Sequence, residues 1–232
     1  MRNFILIMLI IFSQSLFGQE EFLEDFESEY TQSVIKDPFE KYNRFMTEVN
    51  WGIYDYVFDP ALQVYNAATP LGLRLGIYNF FDNLASPLRF LSHLFSFRFN
   101  DAINEFGRFT LNSTFGIGGI LDIATPNGLY SKRSDFGITF GRWGIDGEFY
   151  FVLPLIGPSN FRDILAMPLN ALAYPTTYLE PFLFSAGVYT FKEFNYTARH
   201  KDTLDTFRRD SLNTYVLMKN SYEQHRNELI KE

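Results

Sequence analysis

Three histidines, twenty-seven carboxylates and no cysteine make up the chemistry-bearing inventory of this chain. His93, His200 and His225 stand far apart with no His-Glu-x-x-His pair, and without thiols a zinc site lacks its commonest ligands. No Gly-x-Ser-x-Gly elbow is present to raise a nucleophilic serine. Eight acidic residues and one lysine fall between Gln19 and Glu40, but nothing there buries two carboxylates together for acid–base work. The central glycines lack the Walker spacing and no Gly-x-Gly-x-x-Gly occurs, so a nucleotide phosphate loop is not expected. The expectation is a protein that is not an enzyme, with no catalytic residues, no metal site and no cofactor.

Composition directs attention elsewhere. The chain has 232 residues, enough for one domain with a real core. Hydrophobic residues make up 47% and aromatics 19%, with 27 phenylalanines, yet the mean hydropathy is only -0.09. Apolar and polar residues must therefore be interleaved, as in amphipathic elements, and a polytopic membrane protein is excluded. A formal net charge of -7 without a basic patch argues against nucleic acid as a partner.

Arg2, the apolar run Phe4 to Phe12 and then Ser13, Gln14 and Ser15 have the three parts of a secretory signal, expected over residues 1–18. That run is too short to span hydrocarbon as a helix. Residues 19–36 are expected as an acidic, flexible lead-in.

The remainder reads as helix. Asp37-Pro38, Asp59-Pro60, Thr69-Pro70, Ser86-Pro87 and Thr125-Pro126 repeat one helix-start signal, an oxygen-bearing cap followed by proline at the first helical position. Tyr42, Phe45, Met46, Val49, Ile53 and Val57 recur at helical spacing, as do Leu73, Ile77, Phe80, Phe81 and Leu84. Phe80, Phe81, Phe90, Phe95, Phe97, Phe99, Phe106 and Phe109 crowd one stretch. Two readings fit these faces: the core of a soluble bundle, or helices lying in the plane of a leaflet with rings toward lipid.

Ten of the fifteen glycines fall between Phe106 and Asp163. Gly116 follows a helix expected to end near Phe115, where a C-cap is the first explanation for it. Ser134 or Asp135 is expected to cap a helix carrying Phe136, Phe140 and Trp143. Gly137, Gly141 and Gly144 then share one face open to close approach, or else are separate loop glycines. Glu148 to Ile156 reads as an extended connector, and Asn160 caps a helix with Asp163 as its third-position capping partner. Pro181 to Arg209 predicts one long helix, apolar in its first half and charged from Lys192 onward.

Arg108, Asn112, Gly116, Gly118, Gly119, Asp122-Ile123-Ala124, Phe136-Gly137, Gly141, Gly144, Gly147, Leu153-Pro154, Gly157 and Arg162-Asp163 together resemble the MlaA/VacJ family of outer-membrane proteins. The likeness extends from Asp37-Pro38-Phe39-Glu40 and Asn43-Arg44 to His225-Arg226, which predicts one domain over residues 37–226 and a short tail over residues 227–232. The resemblance implies an all-α fold: a ring of amphipathic helices with a glycine-rich central hairpin or loop region and a long C-terminal helix. It implies a protein in the periplasmic leaflet of the outer membrane that removes misplaced phospholipid from the outer leaflet through an amphipathic channel. The implied partners are phospholipid, an outer-membrane porin, the inner leaflet of that membrane and a soluble periplasmic lipid carrier.

Candidate channel or hinge positions are Asn50, Trp51, Gly116, Gly118, Gly119, Asp122, Gly137, Gly141, Trp143, Gly144 and Gly147. Lipoproteins of the family carry an acylated cysteine after a Leu-x-Gly box, and this sequence has Gln19 at that position. The alternative is a soluble periplasmic all-α binding or scaffold protein.

Overall fold

The computed structural model describes residues 37–232; the expected signal peptide and acidic lead-in lie outside the described residues. Helix α1 (Glu40–Ile53) continues through a five-residue π turn, Tyr54–Phe58, into α2 (Asp59–Ala68). It is followed by α3 (Leu71–Leu84), α4 (Ser86–Phe95), α5 (Phe99–Thr114) and α6 (Phe136–Arg142). A hairpin of β1 (Tyr150–Leu153) and β2 (Gly157–Asn160) leads to α7 (Phe161–Ala173), the 28-residue α8 (Phe182–Arg209) and α9 (Thr214–Lys231).

Four of the five proline signals locate the start of a helical segment, but the capping mechanism expected at them does not operate. None of Asp37, Asp59, Thr69, Ser86 and Thr125 caps a helix with its side chain. Other side chains, some local and some remote, take those oxygens instead. Asp37 accepts from Asn43 at 2.8 Å and pairs with Lys219 at 3.3 Å. Asp59 pairs with Lys201 at 2.5 Å, and the Ser86 hydroxyl accepts from Arg89 at 3.0 Å. Asp59-Pro60 is not a start at all: the widened π turn carries the helix past a proline that has no amide hydrogen to give. The side-chain caps are Asp135, Asn160 and Asn213, each accepting the amide three residues on.

Glu148 to Ile156 is more than a connector. Its first strand pairs antiparallel with β2, Tyr150 opposite Asn160 and Leu153 opposite Gly157. The free edge of β1 is filled by a helix. Asn43 donates to the Tyr150 carbonyl at 3.0 Å and accepts from Val152 N at 2.9 Å; one heptad on, Asn50 does the same with Leu153 and Leu155 at 2.9 and 2.8 Å. Two amides on one helix face thus satisfy strand groups that would otherwise stay unpaired. Tyr150 and Val152 are fully buried against Tyr215 and Val216 of α9.

Packing between elements closes on itself: α1 on β1, β2 on α9, α9 on α6, α6 on α4, α4 on α3, α3 on α8, α8 on α2, and α2 back through the π turn to α1. This circuit has an inverted interior. Among the described residues, 14 buried side chains are hydrophobic and 21 are polar or charged, while 34 large hydrophobic side chains are exposed. Eleven of the exposed side chains are phenylalanines, from Phe39 and Phe45 on α1 and its entry to Phe182, Phe184 and Phe191 on α8. Among the described residues no helix is long and apolar enough to cross a membrane.

Candidate functional site

On α3, Tyr78, Phe81 and Asp82 occupy one face at helical spacing; on α8, Lys192, Glu193 and Tyr196 do the same. Where the two helices meet α4 and the segment before α6, a cavity of about 340 Å³ opens. Its wall adds Arg89, Arg133, Asp135 and Tyr174.

The charges on this wall differ in how they are held. Arg89 is buried and pairs with Glu105 at 2.6 Å and Asp82 at 3.0 Å. Burial alone would pull Arg89 down, but those two carboxylates hold its guanidinium above the usual arginine range. Lys192 pairs with Glu193 at 2.7 Å and lies over the rings of Tyr174 and Tyr189 at 5.0 and 4.8 Å. Arg133 has no carboxylate partner among the described residues; it faces the phenols of Tyr196 and Tyr78, which outweigh burial and raise its pKa. Arg199 stands over the Tyr78 ring, its guanidinium carbon 4.2 Å from the centroid.

Behind this cavity lies a closed polar network. Arg226 of α9 donates to Asp135 at 2.7 and 2.9 Å and to Asp163 at 2.7 Å, and Asp163 also receives the Tyr222 hydroxyl. Burial would raise Asp135, but the Arg226 contacts bring its carboxyl below the usual range. Asp163 is therefore not a capping partner for Asn160: its carboxylate turns toward α9, and only its amide meets the cap.

The sequence candidates fall in separate places, and none of them lines the cavity. Asn50 clamps the hairpin. Trp51 lies edge-on to Tyr54 at 5.4 Å and under Arg208 at 4.6 Å. Gly116 is not a left-handed cap; Ile117, Gly118 and Gly119 take positive φ. A Cβ on Gly116 would collide with the carbonyls of Asn112 and Leu121, so glycine is required there by close backbone approach. Gly119 presses on Asn83, and Asp122 accepts from Asn112 at 3.1 Å and Thr125 at 2.5 Å, with Arg108 at 3.5 Å.

Gly137 and Gly141 do share a contact face, but what they meet is side chains: Asp163 and Arg226 at Gly137, Ile230 at Gly141. Gly144 leaves that face, with φ +86 and open space around it. Trp143 hydrogen-bonds the Phe95 carbonyl at 3.0 Å, and Gly147 sits against the Asn160 amide.

The cavity residues Tyr78, Arg133, Lys192 and Tyr196 were not singled out by sequence reasoning. Arg133 stands in a loop without a motif, and only the helical spacing of Tyr78 with Asp82 and of Lys192 with Tyr196 hinted at shared faces.

The sequence profile of the MlaA lipoprotein family matches residues 35–229. A protein of Rickettsia prowazekii (strain Madrid E) is 33% identical over 188 residues, 74% of each chain. The intermembrane phospholipid transport system lipoprotein MlaA of Shigella flexneri is 28% identical over 197 residues, covering 83% of this chain and 78% of that one. A chain solved in work on the structural basis for maintenance of bacterial outer membrane lipid asymmetry matches with a TM-score of 0.75 and 26% identity, over 84% of this chain and 99% of its own length. With a profile match across nearly all the described residues and the same fold in a solved relative, this chain belongs to the MlaA family.

Proposed function

We propose that this protein is the outer-membrane component of a phospholipid transport system, embedded by its apolar surface in the periplasmic leaflet and removing misplaced phospholipid from the outer leaflet. The observation that carries this reading is the inverted interior, with rings outside and charges inside. Burying a phenylalanine contributes about 1.5–3 kcal/mol, so leaving eleven partly exposed in water forfeits on the order of 10 kcal/mol, comparable to the whole stability of a domain. A hydrocarbon environment removes that penalty, and the soluble scaffold alternative does not.

The charged and hydroxyl groups on the cavity wall provide the complementary half. A phospholipid headgroup loses too much hydration to pass through an apolar wall, whereas hydroxyls, guanidiniums and carboxylates replace its water contacts. Lipid enters with its headgroup among Tyr78, Arg133, Lys192 and Tyr196, leaves toward the periplasm and is taken by a soluble carrier. A porin holds the ring in place. The Gly116–Asp122 and Gly137–Gly147 segments, with Asn50, Trp51 and Trp143, keep the wall's helices and hairpin in register and are the hinge positions of this scheme.

Cell fractionation and lipid analysis test the reading together. The protein is expected in the outer-membrane fraction after osmotic shock, carrying co-purified phospholipid. Its deletion is expected to increase phospholipid accessible to phospholipase at the cell surface. A protein released by shock and free of lipid would overturn it.

A further inference from the structure

Every carboxylate that lines the cavity already has a cation: Asp82 with Arg89, Glu193 with Lys192, Asp135 with Arg226. Arg133 on the wall and Arg199 over the Tyr78 ring have no carboxylate among the described residues. In a chain of net charge -7, two unneutralised guanidiniums beside one cavity are a local excess of positive charge. Phenols do not cancel it. Tyr78 and Tyr196, with ring centroids 6.2 Å apart, hold the guanidiniums in position without supplying a negative charge, so several of each group's five donors remain for a ligand.

A planar donor fork of this kind matches the oxygens of a phosphate in two parallel hydrogen bonds. Size narrows the choice further. At about 340 Å³ the cavity falls at the small end of ligand sites, which accommodates a headgroup and not two acyl chains. An apolar path leads away from it: Phe81 on the wall packs on Phe191 at 6.3 Å, and Phe191 and Tyr189 are exposed on α8 toward Phe184, Leu183 and Phe182.

We infer that this cavity binds the phosphodiester of a glycerophospholipid through Arg133 and Arg199, with the acyl chains left outside along the apolar half of α8. The inference rests on the phospholipid transport reading and adds which residues read the lipid and which part of it they enclose.

The test uses the full chain extracted from membranes in detergent. Bound phospholipid is measured by mass spectrometry for the wild type, R133Q/R199Q, R133K/R199K and, as a distant surface control, R44Q. Wild type and R44Q are expected to carry equal lipid, and R133Q/R199Q about tenfold less, the ratio for losing one charge-assisted hydrogen bond. R133K/R199K, which keeps the charge but not the fork, falls between them. If R133Q/R199Q does not fold, R133Q alone makes the same comparison at an exposed position.

Equal lipid in wild type and R133Q/R199Q would overturn this inference and leave the transport reading standing. A wild type without lipid would overturn both. Calorimetric titration with inorganic phosphate separates the sources: phosphate binding lost in R133Q/R199Q with the lipid load unchanged would make this a free-phosphate site and defeat the lipid assignment.

Discussion

Two polar regions share a boundary at Asp135 and behave as opposites. Around Arg226 the charges are matched, Arg226 and Arg162 against Asp135 and Asp163 with the Tyr222 hydroxyl on Asp163. At the α3–α8 cavity Arg133 faces phenols, and Arg199 lies over the ring of the wall residue Tyr78. The same residue type thus pins three elements together in one place and is left available in the other. Carboxylate pairing, more than burial or sequence context, separates a structural arginine from one poised for a ligand.

Removing the pin gives the largest effect. Arg226→Met takes from Asp135 its ion-pair partner among the described residues and leaves Asp163 with Arg162 alone at 3.3 Å, and is expected to cost about 3–5 kcal/mol in chemical denaturation followed by circular dichroism. A loss below 1 kcal/mol would mean that the network is not what joins α9 to α6 and α7. Gly137→Ala comes next: its Cβ would sit on Asp163 Oδ1 and Arg226 Nη2, and overpacking of this kind costs about 1–3 kcal/mol by the same measurement.

A smaller effect comes from pH. His93 is buried beside Asp101, Glu105 and Arg142, with Nε2 set to donate to the Lys132 carbonyl at 3.3 Å, and burial depresses its pKa below 6.5. The unfolded chain then binds a proton that the folded chain refuses, so the contribution of His93 is complete above pH 6.5 and declines as pH falls below it. His93→Gln should flatten melting temperature between pH 7 and pH 5; an unchanged slope would place the titration on another group. Arg133→Gln is the smallest, within about 0.5 kcal/mol of wild type in stability because no buried partner is orphaned. A large loss there would make Arg133 a structural arginine after all and erase the contrast.

Local rules recovered much of the helical content. Apolar spacing and the step from Phe191 to Lys192 located the long helix that spans Phe182–Arg209, and Asn160 caps α7 as its spacing predicted. The hairpin was less legible because its pairing partners are remote. β1 is read by Asn43, 107 residues earlier in the chain, and no local signal distinguishes that asparagine from a surface one. Most of the proline signals marked helix starts, yet the carboxylates of Asp37 and Asp59 went to Lys219 and Lys201, which only the fold brings near. Gly116 was recognised as special but for the wrong reason, since a collision and a left-handed turn both demand glycine and look alike in one dimension.

By itself the sequence determined the helical period, the amphipathic character and membership of the MlaA family, because those properties reside in residue spacing along a single strand of chain. Which polar residues turn inward, that thirty-four large apolar ones among the described residues stay outside, and that Arg133 on the cavity wall and Arg199 over the Tyr78 ring lack a carboxylate partner there were decided by tertiary structure alone. The physical reason is that burial and charge pairing are properties of neighbours in space, and here those neighbours come from helices more than a hundred residues apart.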